Sequence, residues 1–304
     1  MQPYQRSLMT LAFFLLAQIL SAQSSEVLSV ELKPATIAAF ERYVQVTEGR
    51  IHAEMERPGA FLYVEGLPEP RRDEAFKTLR GGEIFMERLF TLDASGSKMT
   101  APDALIHHWL GAVFIPGVSL QQVISFVEDY DRHQDFYKPE IVRSRLVSHE
   151  GNDFKIFYRV RKHKVITVTL DTEHDVRYFP VDATHWHSRS VSTRIAEIAN
   201  AGEKDEREKP IGHDGGFLWR IESWWKFEER DSGVYVECES VSLTRNIPTG
   251  LGWLIKPFVT SIPRESLEMT MGSTRTAVQK VNAAGKTGDE GGGANARRKS
   301  GAAH

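Results

Sequence analysis

Residues 118–147 read VSLQQVISFVEDYDRHQDFYKPEIVRSRLV, and the fold is decided there. Ser119 precedes a helical run and Gln122 stands three residues on. That is a capping box: the serine oxygen accepts from the Gln122 backbone N–H, and the glutamine side chain reaches back. Leu120, Val123, Ile124 and Val127 recur at helical spacing and predict a buried stripe. A second short turn carries Tyr130, Phe136 and Tyr137, and Pro139 ends it before a strand opens at Ile141. Upstream, Ala104 to Ile115 (ALIHHWLGAVFI) is a strongly apolar strand stopped by Pro116-Gly117. Downstream, strand patterns follow one another without a helix: Ile141 to His149, Phe154 to Arg161, Val165 to Phe179, Thr184 to Ile198, Phe217 to Glu228 and Val234 to Arg245. Gly151-Asn152-Asp153 and Asp231-Ser232-Gly233 are hairpin signals. Asn200 to Gly216 is a charged loop. A long helix then starts near Pro263 and runs to about Val281, with the stripe Leu267, Thr270, Met271, Thr274, Val278 and Val281.

This order implies an α+β fold: a seven-stranded antiparallel sheet that buries one face against the long C-terminal helix. Such a sheet is too wide for one helix to cover flat, so it curls, and its concave side can leave a cavity. Residues 103–283 form this unit. Residues 23–102 read as an α+β extension: a helix from Lys33 to about Arg57, a short strand at Phe61 to Val64, a helix from Glu69 to Arg80, and a strand from Ile84 to Leu92 with Ile84, Met86, Phe90 and Leu92 on one face. It is either a small subdomain or a set of extra elements on the main sheet. Residues 284–304 lack apolar periodicity and are expected to be disordered.

The first 22 residues differ from the rest. Arg6 precedes Leu8 to Leu20, an uncharged and largely apolar run of 13 residues, shorter than the roughly 20 that cross a bilayer. It reads as a secretory signal with cleavage near Ala22, or else as an uncleaved anchor. The mature protein is then expected to be periplasmic or secreted. A net charge of −3 gives no bulk attraction for nucleic acid. The one cysteine, Cys238, cannot form an internal disulfide, and it sits in an apolar strand pattern as a buried, inert thiol.

The segment Val118 to Val147 resembles the START-like (helix-grip) superfamily, in particular its polyketide cyclase/dehydrase and lipid-transport branch. The resemblance is carried by Asp129-Tyr130, the pair Phe136-Tyr137, Pro139, Ile141 and Ser144, and by Ile262-Pro263-x-x-x-Leu267 leading into the last helix. It implies binding of a lipid, sterol, quinone or polyketide, and in some members an enzyme. No catalytic residue carries over from it. The signature concerns packing and turns, so it speaks for fold more than for function.

Candidate site residues come from strand alternation. Phe217, Trp219, Ile221, Trp225 and Phe227 share one face, and Arg220 and Glu222 the other. Phe217, Trp219, Trp225, Trp109 and Met271 are expected to line the cavity, with His107 and Arg194 as polar groups in it. Glu222, Glu237 and Glu239 with Arg189, Arg194 and Arg220 predict either an outer, solvated ion-pair ladder or a few buried pairs inside the cavity. Asp171, Glu173 and Asp175 suggest an exposed strand. His185-x-His187 has metal-ligand spacing but no evident third ligand, so neither a metal nor another cofactor is expected. Leu251 to Val259 packs on the extension, or forms a cavity lid whose Trp253, Leu254 and Phe258 touch a membrane transiently. The leading expectation is an exported carrier of an apolar or amphipathic small molecule. The alternatives are an enzyme acting on such a ligand and an envelope interaction module.

Overall fold

The computed structural model describes residues 29–247, 249, 250 and 252–298, with the backbone alone for 254 and 284–298. The apolar run at Leu8 to Leu20 and the cleavage site near Ala22 lie outside the described residues.

The strands are β1 (Val30–Glu31), β2 (Phe85–Arg88), β3 (Ala104–Pro116), β4 (Ile141–Glu150), β5 (Asp153–His163), β6 (Thr167–Pro180), β7 (His185–Ala199), β8 (Arg207–Glu208), β9 (His213–Asp214), β10 (Arg220–Arg230) and β11 (Gly233–Arg245). The helices are α1 (Pro34–Met55), α2 (Arg71–Arg80), α3 (Leu120–Val127), α4 (His133–Phe136), α5 (Gly252–Thr260) and α6 (Ile262–Arg298). One antiparallel sheet runs β2-β3-β11-β10-β7-β6-β5-β4, with β8 added beside β7. It contains the seven expected strands, widened by β2 and β8. This is a helix-grip arrangement, one antiparallel sheet folded against a long C-terminal helix.

Local chemistry starts each element. Ser119 Oγ accepts from the Gln122 N–H, and the Gln122 side chain accepts from the Ser119 N–H, so the capping box forms at α3. The α3 stripe packs with Tyr130, Tyr137 and the α6 residues Leu267, Met271 and Val278 in one core cluster. Helix α6 crosses β3 at Gly111, where an added Cβ would stand 3.0 Å from Met271 Cγ and 3.2 Å from Leu267 Cγ. Its stripe is buried at Leu267, Met271, Thr274 and Val278, whereas Val281 is exposed. The helix continues to Arg298, past the expected end at Val281 and through most of the expected tail.

The extension is not a separate subdomain; it covers the outer face of the sheet. Ala39, Phe40, Tyr43, Val44 and Ile51 of α1 pack on Trp224, Val241 and Leu243. Leu79 and Ala75 of α2, with Leu62 and Val64, pack on Ala112, Phe114 and Tyr235. Two local expectations differ. Tyr63–Gly66 is a 3-10 turn instead of a strand, since it packs on the sheet face and pairs with no edge. Strand β2 stops at Arg88, leaving Phe90 and Leu92 exposed.

Candidate functional site

A cavity of about 320 Å³ lies between the inner face of the sheet and helices α5 and α6. That is at the small end of the roughly 300–1,000 Å³ typical of ligand sites. Alternation builds its floor. Strand β3 supplies His107 and Trp109, β11 supplies Cys238, Ser240, Ser242 and Thr244, and β10 supplies Ile221, Ser223, Trp225 and Phe227. Strand β7 adds Ser188 and Ser190, β6 adds Leu170, Thr172, His174, Val176 and Tyr178, and β5 adds Ile156, Tyr158, Val160 and Lys162. The roof is Phe258 of α5 with Ile262, Pro263, Ser266, Leu267 and Thr270 of α6.

Helix α5 is the lid at one end. Ile255, Phe258 and Val259 pack on Val168, Leu170, Ile195 and Phe217, not on the N-terminal extension. Phe258 meets Phe217 with ring centroids 5.0 Å apart, so it faces the protein and not a membrane. Trp253 is 68% exposed.

The polar groups in the cavity are mostly neutral. His133 Nδ1 lies 2.7 Å from the Tyr158 hydroxyl, and Tyr130 and Tyr178 share a hydroxyl–hydroxyl bond of 2.8 Å. His107 Nε2 is 2.9 Å from Thr244 Oγ1, and His174 Nε2 is 3.0 Å from Thr172 Oγ1. Burial pushes each of His107, His133 and His174 down to about 4, because an imidazolium loses hydration there. The same loss pushes Tyr130, Tyr158 and Tyr178 well above the ordinary phenol value, and the Cys238 thiol likewise. At neutral pH these groups are uncharged hydrogen-bonding atoms. Among the lining residues Lys162 pairs with Glu140, and burial pushes its ammonium down to about 7.

Of the residues read from the sequence, His107, Trp109, Phe217 and Trp225 line the cavity. Three do not. Met271 is buried where α6 meets Gly111, so it is core and not wall. Trp219 lies in the bend before β10, where alternation does not hold. It packs outside with Trp224 and Val241, and its indole N–H donates to Asp214 at 3.0 Å. Arg194 is turned outward by a β-bulge: Glu173 pairs with Arg194 and His174 with Ser192, so Thr193 is the extra residue and the parity of β7 flips there. Arg194 ion-pairs instead with Glu208. The reading missed His133, Tyr158 and His174. A parity signal existed for the last two, which share faces with Ile156 and Val160, and with Thr172 and Val176.

The charge ladder takes a third form, neither solvated nor in the cavity. On the outer face, beneath α1, Glu239 Oε1 lies 2.6 Å from His108 Nε2 and pairs with Arg50. His108 Nδ1 meets the Tyr43 hydroxyl at 2.9 Å. Lys226, 3% exposed, stands 3.4 Å from Glu237 and 3.8 Å from Glu54. Both Glu237 oxygens accept from the Tyr63 N–H at 3.0 Å. Nearby, Arg189 bridges Glu48 and Glu222. Asp171 is also buried, held by the Arg159 guanidinium through two bonds of 2.7 and 2.8 Å, while Glu173 and Asp175 stay exposed. His185 pairs with Asp182, and His187 stacks on Phe179. Among the described residues no His, Cys, Asp and Glu side chains gather as a metal site.

A scan of protein-family models finds none that matches the chain, and a search of curated proteins finds no match. Solved structures similar to it include a STAR-related lipid transfer protein from Xanthomonas axonopodis, 14% identical, covering 63% of this chain and 98% of that one at a TM-score of 0.40. Human STARD10 is 9% identical and covers 73% of this chain and 84% of its own at 0.42. A START superfamily protein from Mycobacterium smegmatis is 12% identical and covers 58% and 99% at 0.39. Likeness at this level concerns the fold alone, and the reading of the cavity rests on its own residues.

Proposed function

We propose that this chain is a binding protein that carries an apolar or amphipathic small molecule in the cavity between the sheet and helices α5 and α6. The observation that supports this is the cavity itself: aromatic and aliphatic walls from β3, β5, β6 and β10, a roof from α5 and α6, and imidazoles that are neutral at physiological pH. The same pKa directions weigh against acid–base catalysis by the histidines and tyrosines, whereas burial brings the lining Lys162 down to about 7. A general acid or base works best with a pKa near the working pH. Here the His133 imidazole is displaced down to about 4, and the Tyr158 phenol upward.

The test is fluorescence titration with 1-aminoanthracene, followed by native mass spectrometry of protein purified from its natural host. The expected result is saturable one-to-one binding of the dye and a copurifying apolar molecule that displaces it. Absence of both would overturn the reading. Ligand passage runs past α5, whose exposed Trp253 is the point of transient membrane contact. The export of the chain rests on the run Leu8 to Leu20; N-terminal sequencing of the mature protein should begin after Ala22, and an intact N-terminus on cytoplasmic protein would refute export.

A further inference from the structure

The middle of the cavity floor is a belt of hydroxyls. The register places Ser190 beside Ser223 and Ser223 beside Ser240, so one row of serines crosses three adjacent strands. Adjacent strands lie about 4.8 Å apart, so this row spans roughly 10 Å with a hydroxyl about every 5 Å. Ser188 and Ser242 flank it on the same floor. These two residues are only 2% and 5% exposed, yet among the described residues neither hydroxyl has a hydrogen-bond partner. Nor are they sealed into the protein, because both residues line the cavity.

A wall meant for pure hydrocarbon would not carry this row. Valine or alanine would fit the strands equally well, and a buried hydroxyl without a partner costs free energy. Groups left open in a cavity are satisfied by what enters it. The row also excludes charge. The histidines around it are neutral, and Lys162, two strands away from Ser190 on β5, is paired with Glu140 and pushed down to about 7 by burial. A carboxylate or phosphate lying along the belt would therefore be desolvated without a counter-ion, which is the costliest arrangement available.

We infer that the cavity selects an uncharged, elongated ligand carrying hydroxyl or carbonyl oxygens along one edge, laid across Ser190, Ser223 and Ser240. This rests on the binding reading above and specifies its ligand. Three probes share one ring frame and separate the possibilities: anthracene, 1,8-dihydroxyanthraquinone with its oxygens on one edge, and anthracene-9-carboxylate. Binding is measured at pH 7 to the full chain and to the Ser190→Ala/Ser223→Ala/Ser240→Ala variant, with thermal denaturation confirming that the variant folds. The dihydroxyanthraquinone should bind the unsubstituted protein best, and the triple variant should weaken it by about tenfold or more, since each net hydrogen bond accounts for a factor of roughly 2 to 10. Anthracene should change by less than about twofold, and the carboxylate should bind at least about tenfold more weakly than the quinone. Anthracene that binds while the quinone ignores the serines would overturn this inference and leave the carrier reading standing. Tighter binding of the carboxylate would do the same. Failure of all three probes would instead sink the carrier reading.

Discussion

The two faces of this one sheet solve the same problem in opposite ways. Consecutive residues of β3 show it: His107 points into the cavity and hydrogen-bonds the neutral Thr244, while His108 points outward and joins Tyr43, Glu239 and Arg50. On β11, Ser240 and Ser242 face the cavity, while Glu237 and Glu239 are buried beneath the extension. Apart from the Lys162–Glu140 pair, the inner face keeps its polar groups uncharged and, among the described residues, leaves some without partners, so its wall is cheap to empty and ready to fill. The outer face buries full charges and must pair each one, so it works only with α1 in place. Selective binding and rigid attachment thus come from alternate residues of the same strands.

The sharpest way to break this contrast is at Lys226. Substituting Lys226→Met leaves Glu237 buried without its cation, while Glu54 keeps Arg50. Removing one member of a buried ion pair typically costs about 3–5 kcal/mol. Urea denaturation should show a loss of that size, and Lys226→Met/Glu237→Gln should recover part of it. A loss below about 1 kcal/mol would mean that the outer network holds nothing together.

The inner face answers to pH instead. His107, His133 and His174 have pKa values of about 4 in the fold and about 6.5 in the unfolded chain. Between those limits the unfolded state binds more protons, so stability is complete above about pH 6.5 and falls as the pH drops towards 4. Each histidine contributes a slope of up to about 1.4 kcal/mol per pH unit in that window. Side-chain NMR should find all three neutral at pH 5.5. Any of them protonated there would contradict the neutral cavity.

What could be read from the sequence follows the range of the forces involved. The capping box at Ser119, the turn at Pro139 and the hairpin at Asp231-Ser232-Gly233 depend on neighbours a few residues away, and together with the strand periods they specify the fold. Facing could be read wherever alternation runs unbroken, as at Trp109, His107 and Trp225. It could not be read across the β7 bulge, which turned Arg194 outward, or in the bend that redirected Trp219. The burial of Glu237 and Glu239 was illegible because it depends on α1, some 190 residues earlier in the chain, being laid over their strand. The cluster of His133 with Tyr158 joins a helix to a strand for the same reason: only folding brings them together.

A smaller effect is expected where the helix touches the inner face. Gly111→Val puts branched carbon within 3.0–3.2 Å of Met271, Met86 and Leu267, where the neighbours have to move. Overpacking of this kind costs about 1–3 kcal/mol. A loss near zero in thermal denaturation would show that α6 rides loosely on the sheet, and the cavity with it.

The smallest effect on stability should accompany the largest on binding. Ser223 occupies the centre of the hydroxyl row and faces open space. Ser223→Leu adds carbon that the cavity can receive, so denaturation should shift by less than about 1 kcal/mol, in contrast to the 3–5 expected for Lys226→Met three residues away. The same leucine projects into the middle of a cavity of only about 320 Å³, and 1-aminoanthracene binding should fall by about tenfold or more. If Ser223→Leu instead destabilised the fold as much as Lys226→Met, the two faces would be equally committed to holding the structure together. The cavity would then be a packing defect of the sheet and no longer a place kept open for a ligand.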